Sequence, residues 1–402
     1  MDSGDPDPYP NYAWLREHAP VSPVVSSRST GTTWLVASYE QVRASLADPR
    51  LSNDPRNAAH AQTTGREPGL LTMDRPEHTR LRRAVAGLFS PGAVEAMRER
   101  IARVCAAAVD RLARRGEADL VADYAVPVPV DVIHELLGIP VAERLPTDEF
   151  VRLFRHLGFD EPHDGPSGVR LGEYVHRLIA HKRAHPGPDV TTALIQTLDS
   201  GGLRHEGELR AVVLSLLGAG HATTVPFLGA AALRLIERPA LLAELRERPE
   251  LWRSHVEEVL RFDSVAQLSS SRYAVEDLTI GGTRIAKGDT VLLSLASANR
   301  DSARYPDADR FLVDRTPTPH LALGHGPHLC LGAHLVKVEG SIALATLFDR
   351  LTDLRLRIEP DRVVWTLGPT LRGPAELPVT FRARGTEDDV ERLGARREGT
   401  SR

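Results

Sequence analysis

The 402-residue chain has two cysteines, Cys105 and Cys330. So few exclude a disulfide scaffold, an iron–sulfur site and a multi-cysteine zinc site, and they suit a reducing cytosol. Neither sign of charge dominates: 50 Lys+Arg face 54 Asp+Glu, a formal charge of −4. That balance argues against a dedicated nucleic-acid binder. Lysine is almost missing from the basic set (Lys182, Lys287, Lys337), which carries no functional reading. The opening MDSGDPDPYP has no apolar run, so no signal peptide is expected and the location read is cytoplasmic. One uncharged run, Ala211 to Leu233, covers 23 residues, enough to span a bilayer. Gly218, Gly220, His221, Thr223, Thr224 and Pro226 interrupt it, so it reads as a buried helix and no membrane partner is expected.

What is present is an ordinary globular composition, 42% hydrophobic and 26% charged, able to bury a large core. The first 30 residues read as an extended arm. Ser38-Tyr39-Glu40-Gln41 has the capping-box spacing that opens a helix to about Leu46. Residues 53–72 read as a polar loop. Asp74-Arg75-Pro76-Glu77 opens another helix with Leu81, Val85 and Leu88 as its stripe. Helical periodicity fills most of 92–253, and β signals concentrate in 269–295 around a Gly281-Gly282 turn. No repeat or linker is visible. The expectation is one mainly α unit with a small β subdomain over 1–385, followed by a charged, mobile tail over 386–402.

The most informative segment is Leu323-Gly324-His325-Gly326-Pro327-His328-Leu329-Cys330-Leu331-Gly332, followed by an apolar helical run from Ala333 to Phe348. Glycines admit positive φ and a close approach of backbone to a flat ligand. A helix N-terminus stabilises a thiolate. Three readings compete for Cys330: a core cysteine, a zinc ligand with His320, His325 and His328, or a haem-iron ligand, whose thiolate donates charge to the metal. The spacing fits no common zinc pattern, and zinc leaves the glycines unexplained.

This loop resembles that of the cytochrome P450 family, the haem-thiolate monooxygenases of soluble bacterial type. The family pattern Phe-Gly-x-Gly-x-His-x-Cys-x-Gly is met at Gly324, Gly326, His328, Cys330 and Gly332, with Leu323 in the aromatic place. The resemblance implies the cytochrome P450 fold, haem b, and Cys330 as the metal ligand. Gly324 and Gly332 flank that ligand in the loop. It further implies His78, Arg82, Arg272 and His328 on the propionates. Glu258, Arg261 and Arg310 would form a structural charge triad. Ferredoxin and ferredoxin reductase would supply electrons to O2 and a small organic, secondary-metabolite substrate. Arg80 and Arg83 would then face an acidic donor. Substrate contacts fall to Leu70, Leu71, Leu217, Val265, Gln267 and Leu268.

The chain departs from the family in its long helix. The pattern Ala-Gly-x-(Asp/Glu)-Thr-Thr reads here Ala219-Gly220-His221-Ala222-Thr223-Thr224. Gly220, Ala222, Thr223 and Thr224 occupy the positions implied to handle oxygen, yet the acid is absent. Losing a placed proton donor typically costs about 10²–10⁴-fold in rate. Pro226 has no N–H for the Ala222 carbonyl four residues back, so a water held there and on Thr223, helped by substrate, is the expected proton route. Oxidative coupling, nitration or rearrangement without oxygen insertion, and a haem protein that only binds ligands, are the alternatives.

Overall fold

The computed structural model describes residues 7–25, 31–59, 69–156, 165–316, 319–367 and 370–384. The expected 386–402 tail lies outside them. Ten helices matter here: α1 (Tyr9–His18), α2 (Tyr39–Ala47), α3 (Glu77–Ala86), α4 (Arg98–Ala113), α5 (Pro127–Leu137), α6 (Pro166–Ala184), α7 (Glu206–Ala222), α8 (Thr224–Ile236), α9 (Leu251–Phe262) and α10 (Ala333–Arg350). Five short strands form the main sheet: β1 (Val21–Val24), β2 (Thr33–Val36), β3 (Leu51–Ser52), β4 (Arg272–Ala274) and β5 (Thr290–Leu293), in spatial order β1-β2-β5-β4-β3. The sheet therefore joins the N-terminal strands to the β signals read at 269–295. One core fills the helical body and a second lies under the sheet.

Periodicity explains the helical body. In α4, Ile101, Cys105, Ala108, Val109 and Leu112 form one buried stripe, the spacing of a helix packed on a neighbour; that neighbour is α10. Cys105 is consumed by this packing. The uncharged run is core too, with Val212, Val213, Leu217, Phe227 and Leu228 fully buried. It is two helices meeting at Thr223. Pro226 sits in the first turn of the second helix, where its missing N–H is tolerated.

Two local expectations fail for instructive reasons. The N-terminal arm folds into α1 and β1; Tyr9 and Tyr12 are buried, with Arg300 stacked 4.1 Å over the Tyr9 ring. Ser38 makes no capping bond. The Tyr39 N–H donates instead to Asp301 Oδ2 at 2.8 Å, a carboxylate 262 residues away. A remote acid does what the local motif promised.

The site is fixed by a buried network. Arg261 donates twice to Glu258, at 2.8 and 2.7 Å, and also to the carbonyls of Asn299, Ala308 and Arg310. Glu258 also accepts the Leu312 N–H at 2.8 Å. Asn299 Oδ1 in turn accepts the Leu321 N–H at 2.7 Å, which ties the network to the segment entering the cysteine loop. Arg310 does not join as the third charge. Its side chain is 67% exposed and lies 3.6 Å from Asp307, whereas Arg315 approaches Glu258 at 3.5 Å. The resemblance identified the segment, but the turn at 305–315 brings a different arginine inward.

Removing one partner of a buried ion pair costs about 3–5 kcal/mol, and an exposed charge about 0.5 or less. Urea unfolding should therefore show Arg261→Ala strongly destabilised and Arg310→Ala near wild type, with Arg315→Ala between them. Equal losses for Arg310→Ala and Arg315→Ala would contradict this assignment.

Candidate active site

The cysteine loop is shaped by two glycines. Gly324 and Gly326 have φ of 78° and 73°, a region costly for other residues. The Cys330 N–H donates to the Leu323 carbonyl at 2.8 Å and the Gly324 N–H to that of Leu321 at 2.8 Å. The loop closes back on itself and delivers the sulfur just before α10. Cys330 is solvent-accessible, yet crowding by protein pushes its thiol pKa up. The Gly332 N–H and the Arg82 charge oppose that rise and favour the thiolate.

Beside the sulfur stands a collar of nitrogen groups. His78 and Arg82 come from α3, four apart on one face, with His78 buried. Arg82 donates to the Leu329 carbonyl at 2.6 Å. Arg272 on β4 is buried and bonds Ser270 at 3.0 Å (O) and 2.7 Å (Oγ). His328 stacks on His78 with ring centroids 4.0 Å apart. Burial, then the charges of His78, Arg272 and Arg82, push His328 down to about 3. Burial takes Arg272 down to about 10, opposed only by Asp74. Asp74 is itself bonded to the Ser52 hydroxyl and the Asn53 N–H. The collar is short of negative charge, and His78 Nε2 is a buried nitrogen without a partner. A haem, with two carboxylates and an iron needing an axial donor, fits this set. The four candidate zinc ligands do not converge: His320 turns to Glu257 and His328 to His78.

Opposite in character is the face of α7. Ala219 and Thr223 are exposed in the middle of a helix whose flanks are core, with Ser215, Leu216 and Ala222 partly accessible. The accessible stripe they form is termed the cleft face. Thr223 Oγ1 lies 3.4 Å from the Ala219 carbonyl, so its hydroxyl is loosely held. Thr224 is buried and donates to the Gly220 carbonyl at 3.0 Å; it positions backbone and offers the cleft nothing. Gly220 serves a close helix approach, since a Cβ there would come within 2.8 Å of Ile133 on α5. Sequence reading missed Ser215 and Ala219, although steps of four back from Thr223 lead to both.

Of the substrate residues, Leu217 is fully buried in the core and does not reach the cleft. Val265 and Gln267 are also buried, and Gln267 Nε2 donates to the Ser264 carbonyl at 2.7 Å. Leu268, by contrast, is partly accessible. Leu70 packs partly on the core, and Leu71 is 57% exposed. Arg80 is withdrawn from any donor-facing role by Glu208 and Glu77; Arg83 remains exposed.

If the collar holds carboxylates, Arg272→Ala and His78→Phe each lose a charge-assisted bond of about 1.5–3 kcal/mol. Haem transfer to excess apomyoglobin should then run about tenfold faster or more. Unchanged transfer in both would remove the collar from haem binding.

The family model for cytochrome P450 matches residues 176–362. The chain is 39% identical over 392 residues to the cytochrome P450 monooxygenase PikC of Streptomyces venezuelae, covering 95% of this chain and 92% of that protein. It is 39% identical over 403 residues to the mycinamicin IV hydroxylase/epoxidase of Micromonospora griseorubida, covering 95% and 100%. Among solved structures it resembles CxnD, a cytochrome P450 for C–S bond formation in chuangxinmycin biosynthesis, with TM-score 0.85, 33% identity, and coverage of 94% and 96%. The fold, the cysteine loop and these likenesses agree: the chain belongs to the cytochrome P450 family and is a monooxygenase of that family.

Proposed function

We propose that this enzyme binds haem b through Cys330 and inserts one oxygen atom from O2 into a small, largely apolar secondary metabolite. Its electrons would come from a ferredoxin and its reductase, in the cytoplasm, with residues 1–385 as a single catalytic domain. The observation that carries the reading is the accessible Cys330 thiol beside a collar of Arg82, Arg272, His78 and His328 with too little counter-charge. The cofactor supplies oxygen activation; the protein's residues have narrower tasks. Arg82, Arg272 and His78 hold carboxylates, and Gly324 and Gly326 shape the loop that presents the sulfur. The Gly332 N–H moderates that sulfur's basicity.

On the cleft side, Ser215, Leu216, Ala219, Leu268 and Leu70 offer mostly apolar surface with one hydroxyl, the lining expected for a neutral hydrophobic ligand. Likeness to the mycinamicin IV hydroxylase/epoxidase supports a natural product as substrate. With Ala222 in the acid position, a proton reaches the cleft through water on the Thr223 hydroxyl and on the Ala222 carbonyl, which Pro226 leaves without its helical partner. Exposed Arg83 beside α3 supports an acidic electron donor. The likeness to CxnD and the missing acid together favour a second reading, oxidative bond formation without oxygen insertion.

Turnover under ¹⁸O₂ separates the two: label in the product supports insertion, and unlabelled coupled product supports the second reading. If Thr223 holds the water, Thr223→Ala should cut coupled turnover by about 10²-fold and raise the peroxide fraction. Ala222→Glu should lower that fraction. Peroxide yields unchanged in both variants would overturn the water route.

A further inference from the structure

His320 stands ten residues before Cys330, and haem binding gives it no task. Both of its ring nitrogens are nonetheless occupied. Nε2 lies 3.0 Å from Glu257 Oε2, and Nδ1 lies 3.3 Å from the Ala322 nitrogen, whose N–H it accepts. One tautomer satisfies both: Nδ1 bare, and Nε2–H donating to the carboxylate. The other Glu257 oxygen takes Lys337 Nζ at 2.7 Å. Burial raises the Glu257 carboxyl, but hydrogen bonds from His320 and Lys337 outweigh it and hold the group down at about 2. The set joins α9 (Glu257), the approach to the cysteine loop (His320) and the helix behind the cysteine (Lys337 on α10).

What it holds leads to the sulfur. Leu321, between His320 and Ala322, is pinned through its N–H to Asn299 Oδ1 at 2.7 Å. The next residue, Leu323, supplies the carbonyl that accepts the Cys330 N–H at 2.8 Å. Adjacent carboxylates on α9 thus divide the work: Glu258 anchors the turn at 305–315, and Glu257 anchors the loop's approach.

We propose that Glu257, His320 and Lys337 are positioning residues for the thiolate: the carboxylate locks the imidazole in its Nε2–H form. The imidazole then fixes the Ala322 N–H and, through Leu323, the backbone from which Cys330 hangs. This rests on the haem-thiolate reading of Cys330. Groups that orient a metal ligand commonly alter its binding 10–100-fold. The set is a route by which a residue remote from the sulfur governs how firmly that sulfur stays ligated.

Two substitutions split the imidazole's tasks. His320→Asn places an acceptor where Nδ1 sits but loses Glu257. His320→Gln reaches Glu257 but leaves the Ala322 N–H without its acceptor. In the holoenzyme, the fraction of reduced carbonyl adduct with the thiolate Soret band should decay about tenfold faster for His320→Gln. Glu257→Gln should be severalfold faster, and His320→Asn should stay within about twofold of wild type. In the haem-free full chain, alkylation reports Cys330 alone because Cys105 is buried. Its rate should change severalfold in His320→Gln and not in His320→Asn. Wild-type behaviour of both His320→Gln and Glu257→Gln overturns the proposal. So does equal damage from His320→Asn and His320→Gln, which would mean packing alone. A wild type without any thiolate band would overturn the haem reading instead, and the alkylation rates would still decide the positioning role.

Discussion

One sulfur must stay accessible without being lost to protonation or to packing, and the rest of the structure answers to that constraint. Crowding around Cys330 disfavours a thiolate, while the Gly332 N–H and Arg82 favour it. The balance holds only while the loop keeps its shape, and the loop has few bonds of its own. Its form comes from two positive-φ glycines and from a backbone bond between Cys330 and Leu323. Neighbours hold its approach: Asn299 on Leu321, His320 on Ala322, and Glu258 with Arg261 behind both. The buried ion pair therefore serves geometry as much as stability, consistent with the weak net contribution expected of such pairs.

A second consequence concerns charge. Gathering the buried Arg272 and His78 with the partly buried Arg82 and His328 around one bonded aspartate is unfavourable unless a negatively charged group joins them. The collar pushes both histidines towards the neutral form and lowers the hold of Arg272 on its own proton. These are the marks of a site whose electrostatic partner is a ligand. On the other side, Ala219 is exposed on α7 with Ser215, Leu216 and Ala222 partly accessible, and Thr223 is exposed where α7 meets α8.

Much of this was legible in the sequence where a local pattern carries the physics. Spacing put His78 with Arg82 and Glu258 with Arg261 on shared helix faces, and the resemblance carried by the glycine-cysteine loop supplied their roles. Long-range geometry was not legible. Asp301 caps α2 from across the sheet, and Arg315 reaches Glu258 because the chain turns between them. Leu217 and Gln267 were placed at the substrate by resemblance, but the structure buries both side chains in the core. His320 looked like a spare zinc ligand because its partner, Glu257, lies 63 residues earlier.

The central claim is that Cys330 donates its sulfur to the iron while the collar holds the rest of the haem. The most direct measurement is the reduced carbonyl spectrum of wild type and Cys330→Ala, each loaded with haem. A red-shifted Soret maximum is expected in the wild type and absent from Cys330→Ala although haem is still bound. The same red-shifted maximum in Cys330→Ala would contradict it.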